Sequence, residues 1–101
     1  NFRKLDLIVS ISYSSDIKLA KEIIANILSE DERVMNEPDP PLIVVNNLGE
    51  SSVDILVRAW TKTEFALDLK YHFLERVKTE FDKSGVVIPF PQRDIHIYEN
   101  R

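Results

Sequence analysis

Leu5, Leu7, Val9, Ile11 and Tyr13 alternate with Asp6, Ile8, Ser10 and Ser12, the period of two expected of a strand with one buried face. Ser14 and Ser15 then offer hydroxyls to cap a helix, and Asp16 suits its positive end. Ile17, Ala20, Ile23, Ile24, Ile27 and Leu28 recur at helical spacing, which predicts a helix running to about Ser29. Residues 30–41 turn charged and carry Pro38, Pro40 and Pro41, so an exposed connector is expected there. Leu42, Ile43, Val44 and Val45 form a compact run rich in β-branched residues, and residues 46–50 carry turn chemistry around Gly49. Val53, Ile55, Val57 and Ala59 then alternate with polar neighbours over 52–60, completing a predicted hairpin. Beyond the polar residues 61–64, Ala66, Phe73, Val77 and Phe81 share one helical face with Leu67 and Leu74 beside it.

The exit from this second helix carries the most information. Gly85 stands where a helix end needs a residue tolerant of positive φ, and Lys83 lies near the negative end of the dipole, so the helix is predicted to stop at about Ser84. Val86, Val87 and Ile88 suit a short strand, whereas Pro89 and Pro91, on either side of Phe90, fix φ and withdraw two backbone donors. Asp94, Ile95, His96, Ile97 and Tyr98 form a second extended piece that leaves in a new direction. The order strand, helix, strand, strand, helix, strand is the ferredoxin-like βαββαβ pattern of the α+β class. It places two helices on one face of an antiparallel or mixed sheet and adds a C-terminal extending strand. Either Val86, Val87 and Ile88 or the run 94–98 can supply the fourth sheet strand, and the first is preferred. Residues 1–92 are thus read as one α/β domain and 93–101 as its C-terminal strand.

Composition narrows the partners. A chain of 101 residues can bury about 60 to 65% of its unfolded surface, enough for one unstapled core. The absence of cysteine removes disulfides and thiolate chemistry. The net charge of −4, with its cations spread along the chain, argues against nucleic acid, since no basic stripe is available to release counterions from phosphates. No apolar run reaches the roughly 18 residues of a membrane-spanning helix. The chain begins at Asn1 without an initiator methionine and ends on Glu99, Asn100 and Arg101, as an excised piece of something longer would.

Catalytic constellations are weak. His72 and His96 are far apart and share no ligand spacing with a carboxylate, so both read as partly exposed surface residues, with no metal or cofactor expected. Asp31 with Glu32, and Glu80 with Asp82, read as solvated charges, and Glu75 with Arg76 and Lys78 with Asp82 as helix-surface pairs. Ser14, Ser15, Ser51 and Ser52 lack a nucleophile elbow, and Gly49 and Gly85, the two glycines, are too few for a phosphate loop. Trp60, Phe73 and Phe81 fit a core better than a base-stacking platform. No enzyme is expected.

Three stretches carry a resemblance: Leu48-Gly49-Glu50-Ser51-Ser52-Val53 with Val57-Arg58-Ala59-Trp60; Leu74-Glu75-Arg76-Val77 through Phe81-Asp82 and Gly85; and Ile88-Pro89-Phe90-Pro91-Gln92. With Tyr13-Ser14-Ser15-Asp16-Ile17 upstream, they resemble the cytoplasmic C-terminal region of the small-conductance mechanosensitive channel family. The resemblance implies an α/β domain beneath a transmembrane pore, assembled as a homo-heptamer into a hollow cage. The pore opens under membrane tension and releases osmolytes during hypoosmotic shock. It further implies that the Pro89-Phe90-Pro91 corner redirects Asp94, Ile95, His96, Ile97 and Tyr98 into a ring of equivalent strands from other subunits, with Ile95 and Ile97 on its apolar side. The expected partners are therefore further copies of the chain and, through pore helices outside it, a cell membrane. The alternative is a free-standing ferredoxin-like module that binds a small ligand or a partner through its sheet.

Overall fold

A computed structural model describes residues 1–89. Strand β1 (Phe2–Ile11) leads to helix α1 (Ile17–Ser29), then β2 (Leu42–Leu48), β3 (Val53–Lys62), a single 3-10 turn at Thr63–Phe65 and helix α2 (Ala66–Ser84). The three strands form one antiparallel sheet in the order β1-β3-β2. β1 and β3 pair without a slip from Phe2 opposite Lys62 to Ile11 opposite Val53. β2 pairs from Leu42 opposite Arg58 to Leu48 opposite Val53, with a bulge between Val45 and Asn47. α2 packs over β1 and α1 over β2, with the helices side by side. This is the ferredoxin-like α+β layering, two helices covering one face of an antiparallel sheet.

The alternation read from sequence sets the buried face. Val53, Ile55, Val57, Ala59 and Thr61 are buried along β3, where they meet Val9 and Ile11 of β1, Ala20 and Ile24 of α1, and Phe73, Val77 and Phe81 of α2. Removing Phe73 and Phe81 fully from water contributes roughly 1.5–3 kcal/mol each. Leu69 belongs to the same helical face, whereas Leu67 and Leu74, expected beside it, are exposed.

Local chemistry departs from the reading at four places. Asp16, not Ser14 or Ser15, caps α1, its carboxylate accepting from the Leu19 N–H at 3.2 Å. β2 runs through Asn46 and Asn47 to Leu48, so the turn begins only at Gly49. The connector between α1 and β2 is tied down, because Met35 N–H donates to Trp60 O at 2.8 Å and the buried Thr61 hydroxyl donates to Arg33 O at 2.8 Å. Val86, Val87 and Ile88 do not form a strand of the sheet. Only Val87 bonds to the chain beyond β1, and Pro89 has no N–H with which to extend a ladder.

Candidate assembly surface

The glycine stop is as the sequence reading placed it. Gly85 sits at φ +80°, the left-handed conformation that ends α2, and its N–H and that of Val86 both donate to Phe81 O. The reversal drives Val86 into the core, where it is 3% exposed. Val87 is then held from both sides: its C=O accepts from Ser12 N–H at 2.8 Å, and its N–H donates to Ser15 Oγ at 3.0 Å. Pro89, half-buried, is the last described residue and follows from this fixed point beside the end of β1.

The β2–β3 turn is fastened to the same place. Tyr13 hydroxyl donates to Gly49 O, and Gly49 N–H donates to Ser52 O at 2.7 Å. A Cβ at Gly49 would stand 3.3 Å from Ser52 O, so crowding rather than φ favours glycine. Nearby, the Asp54 carboxylate accepts from Ser10 Oγ and Ser52 Oγ at 2.8 Å each and from Asn47 Nδ2 at 3.0 Å, bonds that lower its pKa. The turn after β1 thus gathers Gly49 and the run from Gly85 to Pro89 at one end of the sheet. Phe90, Pro91, Asp94, Ile95, His96, Ile97 and Tyr98 lie outside the described residues. Tyr13, Ser15 and Asp54, which make this end rigid, carry no periodic signal in sequence; only the turn-forming company of Ser14, Asn47 and Gly49 hints at them.

Several charged residues form pairs. Asp31 holds Arg33 through Nε at 2.9 Å and Nη2 at 2.8 Å, and that bidentate bond lowers the Asp31 pKa. Arg58 grips Asp6 in the same way at 2.7 and 3.0 Å across β1 and β3, lowering the Asp6 pKa. Arg76 reaches Glu30 at 3.1 Å and Glu80 at 3.8 Å instead of Glu75, while Lys78 pairs with Asp82 at 2.5 Å as its spacing predicts. His72 is exposed at the rim of a 370 Å³ hollow lined by Glu30, Asp31, Glu32, Arg33 and Arg76, where Asp31, Glu30 and both guanidinium groups are already paired. A second groove of 390 Å³ between α1 and β2 is walled mainly by Ala25, Leu28, Val34, Pro41 and Ile43. Neither aligns a nucleophile with a base.

Residues 5–88 match the family described as mechanosensitive ion channel MscS, C-terminal. An uncharacterized MscS family protein of Archaeoglobus fulgidus is 42% identical over 91 residues, covering 90% of this chain and 32% of the relative. The small-conductance mechanosensitive channel of Edwardsiella ictaluri is 30% identical over 97 residues, covering 96% and 34%. The crystal structure of Helicobacter pylori MscS in its closed state superposes with a TM-score of 0.80 at 27% identity, over 88% of this chain and 35% of that one. The chain therefore spans about a third of the length of the relatives it matches.

Proposed function

The chain belongs to the MscS family of mechanosensitive ion channels through their C-terminal domain, and from that premise we propose that it is the cage-forming cytoplasmic domain of a channel subunit. In this reading it acts without catalysis, as a structural and gating-related module of a homo-heptamer whose pore helices lie in the rest of the protein and release osmolytes on hypoosmotic shock. No helix among the described residues is long and apolar enough to cross a membrane, so the pore function is assigned to segments outside this chain. The observation that carries the proposal is the fixed exit at Val86, Val87 and Pro89. Val87 is held against Ser12 and Ser15 at the end of the α/β unit, which supports a reading in which the segment that follows starts from a fixed origin and serves a shared ring.

The full-length protein, expressed in cells stripped of their own mechanosensitive channels, tests this reading. Survival of a sudden drop in osmolarity, together with tension-activated currents in excised patches, is the expected result. Correctly inserted protein that gives neither defeats it.

A further inference from the structure

We draw no further inference here: the strongest candidate, the apolar groove between α1 and β2 walled by Ala25, Leu28, Val34, Pro41 and Ile43, is an unpartnered face, and nothing among the described residues shows what covers it.

Discussion

At Gly85 one dihedral decides where α2 ends. The residue sits at φ +80°, and a Cβ placed there would meet nothing within 4 Å, so the cost of substitution is conformational and not steric crowding by neighbours. Gly85→Val is expected to destabilise the domain by about 1 kcal/mol or more, because a β-branched residue resists the left-handed region. Gly85→Asn should recover part of the loss. An unmoved midpoint in chemical denaturation of the valine variant contradicts this. Asp31 supplies a second prediction, through pH. Its folded pKa is lowered from 3.8 by Arg33, so its contribution is fully present above 3.8 and fades as pH falls through the lower folded value. Wild type should therefore exceed Asp31→Asn in stability at pH 7, with the gap closing in acid below 3.8; a gap independent of pH rules the linkage out. The glycine was legible because its local chemistry admits few roles. Ser15 was not, because its bond is to Val87, 72 residues away, and short polar side chains offer caps and turns equally well.

At the scale of elements, the strand and helix periods located β1, α1, β3 and α2 because each has one face in the core and one in water. Period alone did not reveal where an element's flank lies relative to its neighbours. Leu67 and Leu74, placed beside the buried face by their spacing, are 59% and 42% exposed. The connector after α1 is a loop, exposed from Asn36 to Pro40 as its prolines suggest, yet prolines leave carbonyl and N–H groups elsewhere free to bond. Arg33 C=O and Met35 N–H dock against the end of β3, which makes Thr61 the buried polar residue of the core. Thr61→Val keeps the volume and the strand propensity but deletes the donor to Arg33 O. It is expected to cost about 1–2 kcal/mol, because a carbonyl at the connector loses its partner. Urea denaturation measures the loss; a variant as stable as wild type would mean that solvent satisfies Arg33 O and that the connector is held by Met35 alone.

At the scale of the molecule, the paired strands, both helices and Val86 behind the glycine turn make one hydrophobic cluster among the described residues. The end of the described chain is fastened to the turn after β1 through Ser12 and Ser15, which gives the segment after it a defined origin. Folding and assembly should therefore separate. Deleting the chain from Asp94 onward, removing Asp94, Ile95, His96, Ile97 and Tyr98, is expected to leave the melting transition of the isolated domain within a few degrees of its original value, since no described core residue loses a neighbour it is seen to pack against. The same deletion in the full-length protein should shift sedimentation from oligomer toward smaller species, because a strand donated to a shared ring contributes only between subunits. The balance of the two effects is decisive. If melting falls as far as assembly does, the segment completes the domain's own sheet, and the Pro89 corner would be a bend inside one fold instead of a junction between subunits.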